Sequence, residues 1–311
     1  MRHLALASAL ACTLAGCSAS RLPVLAAEST EQRSARLQGA LEGAFRGFRG
    51  QAGVYVRHLG TGETAAINAD TLFPTASLVK VPIMLGVFDA IERGSLAYDQ
   101  PLVYRDSLLY PGEDLAGHFR DSSVVPLSEV QMLSITTSDN TASLWLQHLA
   151  GTGTAINGWL AANGFAHTRV NSRTPGREAM RTRYGWGVTT PREMAGLVTA
   201  IREGRAVSPG ASEEMYRILT RIYWNDEALS ALPPTVQAAS KQGAVNRSRS
   251  EVVLVNAPHG DYVFCVITKD QQDESWTPEN EGYRLLRTVS ALLWQHFEPA
   301  YGWTPPAGKR Y

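Results

Sequence analysis

One helix with almost no polar surface sets the terms on which this chain can fold. Phe73-Pro74-Thr75-Ala76-Ser77-Leu78-Val79-Lys80-Val81 reads as a turn running straight into an apolar stretch, in which Leu78, Val79, Ile83, Met84, Val87 and Phe88 call for burial nearly all round. Pro74 sets the turn and Thr75 is a candidate cap. The chain must therefore pack protein around this helix on all sides, and the polar residues it keeps there need a reason. Ser77 and Lys80 are three apart, which puts hydroxyl and amine on one face of the first turn, close enough to exchange a proton. The helix start adds free N–H groups and a positive dipole end, suited to the charge that develops when a carbonyl is attacked. Pro82 falls just past the turn that tolerates a missing N–H, which predicts a local kink.

Lysine usage points the same way. Of 29 basic residues 25 are arginine and four are lysine, at 80, 241, 269 and 309. Arginine keeps its proton inside a protein, whereas a buried lysine can be brought into the range of a base. The basic residues balance 29 acidic ones, so there is no net charge to draw in nucleic acid broadly. A small-molecule substrate and a monomer are expected. The seven histidines are scattered, and no H-E-x-x-H, paired Cys, G-x-S-x-G or phosphate-cradling Gly loop is present, so neither metal nor cofactor is expected.

Met1 to Leu14 reads as an export signal, with one Arg and an apolar run too short to span a bilayer. It leads into Leu14-Ala15-Gly16-Cys17, which resembles the lipobox of bacterial lipoproteins. That resemblance implies a protein lipid-anchored to the membrane through Cys17 and facing the periplasm; cleavage without lipid, giving a soluble periplasmic protein, is the alternative. Residues 1–17 are then the signal and 18–30 a tether. Cys12 leaves with the signal, and Cys265, inside the strand-like Tyr262–Thr268, reads as a buried inert thiol.

Residues 31–311 read as one catalytic domain. Glu31–Arg49 has helix-forming composition, and Gly53–Leu59 and Glu63–Ile67 flank a Gly60-Thr61-Gly62 hairpin. Helices dominate from Ser95 to about Thr199, with Leu127–Leu133 and Thr141–Leu149 meeting at a tight corner, Thr137-Ser138-Asp139-Asn140. Strand character returns at Gln237–Gln242, Glu251–Asn256 and Asp261–Thr268, before a final amphipathic helix over Glu281–Phe297. The predicted fold is α+β: an antiparallel sheet built from both termini (31–72 and about 200–311), flanked by terminal helices, with an inserted all-helical part (about 73–199). A ligand would sit in the cleft between the two parts.

Ser-x-x-Lys alone is a weak signal, and Ser138-Asp139-Asn140 could be an ordinary helix cap. Lys241-Gln242-Gly243 could be a solvated Lys before a turn. In this order they are more, because S-x-x-K, S-D-N and K-T-G mark class A β-lactamases and penicillin-binding proteins. Phe73-Pro-x-x-Ser-x-x-Lys-Val81, Ser134-Ile-Thr-Thr-Ser-Asp-Asn-Thr-Ala142 and Thr189-Thr190-Pro191 extend the likeness, so the chain resembles the class A β-lactamases from about residue 35 to 297. The resemblance implies that Ser77 attacks a lactam or amide carbonyl with Lys80 as proton acceptor, and that the N–H groups of Ser77 and Ala244 form the oxyanion hole. It implies that Ser138 passes a proton to the departing nitrogen, and that Asn140 holds Lys80 and the substrate amide. Lys241 would then attract the substrate carboxylate, and Gly243 would leave the strand edge bare for substrate backbone.

The chain departs from the pattern twice. Gln242 replaces a hydroxyl residue, leaving Arg249 or Arg247 as candidates for a bidentate carboxylate contact. The Glu that activates the hydrolytic water in class A β-lactamases has no counterpart, because the aligned position is Thr174. Glu178 could reach that water if the loop is rearranged, or could simply pair with Arg177 or Arg181. Three readings follow: a β-lactamase working through an acyl-enzyme on Ser77, a penicillin-binding protein or slow D,D-peptidase or sensor that deacylates poorly, or a non-catalytic lipoprotein.

Overall fold

A computed structural model describes residues 28–112 and 114–304; the signal, Cys17 and most of the tether lie outside the described residues. Helix α1 (Thr30–Phe45) starts at Ser29, whose hydroxyl accepts from Gln32 N while the Gln32 side chain accepts from Ser29 N, a reciprocal cap. Strands β1 (Gln51–His58) and β2 (Thr64–Ile67) form the hairpin. After β3 (Phe73–Pro74) and a 3-10 turn over Ala76–Val79 comes α2 (Lys80–Glu92). Then follow β4 (Pro101–Val103), β5 (Val124–Pro126), α3 (Leu127–Thr136), α4 (Asn140–Leu149), α5 (Thr152–Ala162), β6 (Arg169–Val170), α6 (Glu178–Tyr184) and β7 (Gly187–Thr189). The chain returns through α7 (Pro191–Arg202) and α8 (Pro209–Leu219) to β8 (Ala238–Val245), β9 (Ser248–Val255), β10 (Tyr262–Lys269) and α9 (Glu281–Phe297).

The five-stranded antiparallel sheet runs β2-β1-β10-β9-β8, so the strands from the two ends of the chain meet where β1 pairs with β10. Strands β9 and β10 are buried on both faces because the period of two sends alternate residues to different layers. Val253, Val255, Phe264 and Val266 meet Leu37 and Leu41 of α1 and Leu286, Val289 and Leu293 of α9. Val252, Leu254, Val263, Cys265 and Ile267 face the other way, into the core of the helical part. Cys265 is fully buried there, as expected, and burial pushes its thiol well up from the ordinary value.

Helix α2 fills the middle of that second core, with ten of its thirteen residues buried. It packs on α5 so closely that a Cβ on Gly86 would come 2.5 Å from the Ile156 side chain. The predicted kink at Pro82 is not needed. Ala76–Val79 winds as a 3-10 turn and the α-helix proper starts at Lys80, so Pro82 lies in its first turn, where an N–H has no intrahelical acceptor. Nor is the middle of the chain purely helical. Strands β3, β7 and β6 form a three-stranded sheet and β4 pairs with β5.

Candidate active site

Three segments converge at the edge strand β8. The close approach of β8 to the start of α2 depends on a glycine: a Cβ on Gly243 would stand 2.8 Å from Ser77 N, from Thr75 O and from Ser250 Oγ, so no larger residue fits. Ala244 follows directly and, with Ser77 and Asn140, lines a cavity of about 570 Å³. The Thr75 side chain makes no cap bond, and its buried hydroxyl has no partner among the described residues. Ala76, just before Ser77, and Ser138 both sit in the left-handed region, at φ 43° and 63°. Such strain persists where the surroundings over-determine it.

At Ser138 the fastening is visible. Asp139 caps α4 by accepting from Ala142 N at 2.7 Å, and its other oxygen accepts from Ala116 N at 2.8 Å. Asp114 accepts from Thr141 N and from the Thr141 hydroxyl. Two buried carboxylates thus pin the loop before β5 to the start of α4 and hold the corner that presents Ser138 and Asn140.

Lys80 is fully buried, and its Nζ is surrounded by Ser77 Oγ at 3.2 Å, Ser138 Oγ at 3.1 Å, Asn140 Oδ1 at 2.8 Å and the carbonyl of Ser138. Burial lowers its pKa to about 7, against the pull of Asp114 and Asp139, which favour the proton. The partners then decide how the neutral amine is oriented. Asn140 Oδ1 and the Ser138 carbonyl can only accept, so they take the two N–H groups and the lone pair is left for a hydroxyl. Lys241, also fully buried, donates to Ser138 Oγ at 3.0 Å, and burial together with the Lys80 charge holds its pKa well below the usual value. Ser138 therefore stands between two amines and Ser77 beside one.

The other candidates are placed less as expected. Gln242 turns its carbonyl Oε1 to Lys241 Nζ at 3.1 Å. Arg249 is not in the cleft, which corrects the expectation of a carboxylate contact. Ser250 faces Thr75 and Gly243, so period two puts Arg249 on the opposite face. There its guanidinium donates to Val245 O, to Ser248 O at 3.0 Å and to Ser275 O at 2.7 Å, between the rings of Trp276 and Tyr283. Arg247, in the β8–β9 turn, does line the cavity.

Glu178 is likewise outside the cavity walls. It begins α6 exposed to solvent and accepts from Gly176 N at 3.1 Å, because the Pro175-Gly176 turn, with Gly176 at φ 76°, carries the chain outward. Arg177 takes the inward direction and grips Asn171 Oδ1 through two nitrogens, at 3.0 and 2.8 Å. Thr174, at the position aligned with the water-activating Glu, is buried, donates to Ser172 O at 2.8 Å and packs on Gly153 of α5. The sequence reading missed Asp114, the aromatic walls Tyr110, Tyr184 and Trp186, and the charged far end formed by Arg183, Lys269 and Asp270.

A serine beside a buried amine whose pKa is lowered to about 7, next to a second hydroxyl and a bare strand edge, defines a serine hydrolase of the Ser/Lys type. A model of the Beta-lactamase enzyme family matches residues 35–297, and the chain belongs to that family. A β-lactamase of Streptomyces fradiae is 25% identical, covering 94% of this chain and 95% of its own. The β-lactamase VEB-1 of Pseudomonas aeruginosa is 20% identical over 83% of this chain and 89% of its own. Among solved structures, PBP-A matches with a TM-score of 0.74 and 27% identity, over 85% of this chain and 96% of that one.

Proposed function

We propose that the chain opens β-lactams by transferring the acyl group to Ser77 and releases it slowly, so that it acts as a penicillin-binding protein more than as a fast β-lactamase. The Lys80 environment carries the first half of this reading. The Ser77 hydroxyl gives its proton to the Lys80 lone pair as Oγ forms a bond to the lactam carbonyl carbon. Charge on the carbonyl oxygen is met by the N–H groups of Ser77 and Ala244. The C–N bond then breaks, the nitrogen takes the Ser138 proton, and Ser138 is reprotonated from Lys80 through their 3.1 Å contact. Lys241 donates to Ser138 Oγ at 3.0 Å, which orients that hydroxyl, and would offer a further N–H to the substrate carboxylate.

The walls of the cavity support the slow second half. Among the described residues that line it, the only carboxylate is Asp270, placed beside Lys269, while Glu178 caps its own turn and Thr174 cannot take a proton from water. A solved acyl-enzyme complex of a PBP-A mutant with penicillin G matches this chain at a TM-score of 0.75 and 26% identity, over 85% of this chain and 97% of that one. The test is stoichiometry. Mixing protein lacking the first 17 residues with excess chromogenic cephalosporin should give a burst of about one ring opened per protein, followed by slow turnover. Fast linear turnover with no burst would contradict slow release, and no opening at all would contradict acyl transfer.

A further inference from the structure

The proposed chemistry uses Lys80 and Lys241 and leaves a third rare lysine, Lys269, on the wall of the same cavity. From Lys241, the leaving-group side, β8 runs past Gly243 and Ala244 to Val245, and the cavity that Ala244 and Val245 line is also lined by Arg183, Arg247 and Lys269. Against these three cations the walls carry one carboxylate, Asp270. Lys269 Nζ spends one donor on Leu72 O at 2.8 Å and lies 5.0 Å from the centre of the Phe73 ring, which leaves two N–H groups. Arg183 lies 5.1 Å over the Tyr184 ring, and neither it nor Lys269 has a carboxylate within ion-pair distance among the described residues. Arg247 has Glu274 at 3.7 Å, both half in solvent, so that pair offsets little. Tyr110 and Trp186, packed edge to face at 5.1 Å, line the same cavity as Ser77 and these charges.

We propose that this end of the cleft selects an acyl side chain that crosses the Tyr110–Trp186 aromatic step and ends in a carboxylate. The inference rests on the acyl-transfer reading, since that reading decides which end of the cleft faces the acyl side. Cations on a cavity wall with at most one weak, solvent-exposed carboxylate partner gain from an anion, and the aromatic step gives an apolar spacer something to cover.

The test uses two penicillins that differ only at the chain end, an adipyl amide and its hexanoyl counterpart, titrated into a Ser77→Ala variant by calorimetry. The adipyl compound should bind about fivefold tighter at low salt, and the ratio should fall in high salt. An Arg183→Gln/Arg247→Gln variant should bring it near unity, and Arg183→Glu/Arg247→Glu should turn the preference toward a 6-aminohexanoyl chain, which a merely structural role of the arginines would not do. Equal binding of the first pair, absence of binding by either, or a preference that survives neutralisation of the arginines overturns the proposal. Failure of the acyl-transfer reading shows separately, as absence of a penicillin adduct on the protein with Ser77 intact.

Discussion

Asn140 Oδ1 lies 2.8 Å from Lys80 Nζ, and because that oxygen can only accept, it turns the amine so that its lone pair is offered to a hydroxyl. Exchanging the amide for a carboxylate keeps the shape and adds charge. Asn140→Asp should raise the Lys80 pKa by about one unit or more, holding the amine protonated near neutral pH. Acylation at neutral pH should fall about fivefold or more and recover as pH rises. A variant slowed equally at every pH would show that Asn140 acts on substrate only.

The pH dependence of the wild-type chain follows from the same amine. With the Lys80 pKa at about 7, the acylation rate should climb with pH and reach half its plateau near that value. Lys80→Arg puts a permanent cation in the position and should abolish acylation. A flat profile from about pH 5 to about pH 8 would mean that Lys80 does not take the Ser77 proton.

The loop that carries Thr174 depends on its fit against Gly153 of α5. A Cβ on Gly153 would stand 1.8 Å from Thr174 Oγ1, so Gly153→Ala should cost about 1–3 kcal/mol. Thr174→Ala removes the clashing atom, and the double variant should recover most of the loss. Additive losses in thermal unfolding of the two single variants and the double would contradict the contact.

A carboxylate pair behind β8 sets a pH dependence of stability. Glu227 and Glu251 are buried together, and burial pushes their pKa values up to about 8 and about 7. Glu251 accepts from Ser240 Oγ and Ala228 N, each at 2.7 Å, whereas Glu227 Oε2 is buried with no partner among the described residues. Folded-state values raised above the unfolded ones mean that the folded chain holds protons the unfolded chain gives up. Stability from this source is therefore full below about pH 4.5 and is lost as pH rises to about 8. Glu227→Gln should remove part of that slope, so the variant gains on the wild type in melting temperature between about pH 5 and about pH 8. A constant difference across that range would contradict the assignment.

Much of the fold is local enough to read in advance. The apolar run of α2, the Asp139 cap of α4 and the span Glu281–Phe297 are written in consecutive residues, and the three motifs name Ser77, Lys80, Ser138 and Lys241, which the fold brings to one place. The strand parity of Arg249 was not legible, because period two says that neighbours face opposite ways without saying which face is the cleft. Strands β3, β6 and β7, of two or three residues, are too short to show any period, so the loop path that turns Glu178 outward and Arg177 inward could not be followed. The far end of the cleft joins Arg183, Arg247 and Lys269 from segments remote in sequence, and no motif announces it.

The central claim is that Ser77 takes the acyl group through a neutral Lys80, and intact-mass measurement with peptide mapping after benzylpenicillin addition tests it most directly. The account predicts one added penicillin, mapped to the peptide carrying Ser77, persisting long after mixing, and missing from Ser77→Ala and Lys80→Arg. An adduct on another residue, or full labelling of Lys80→Arg, would contradict it.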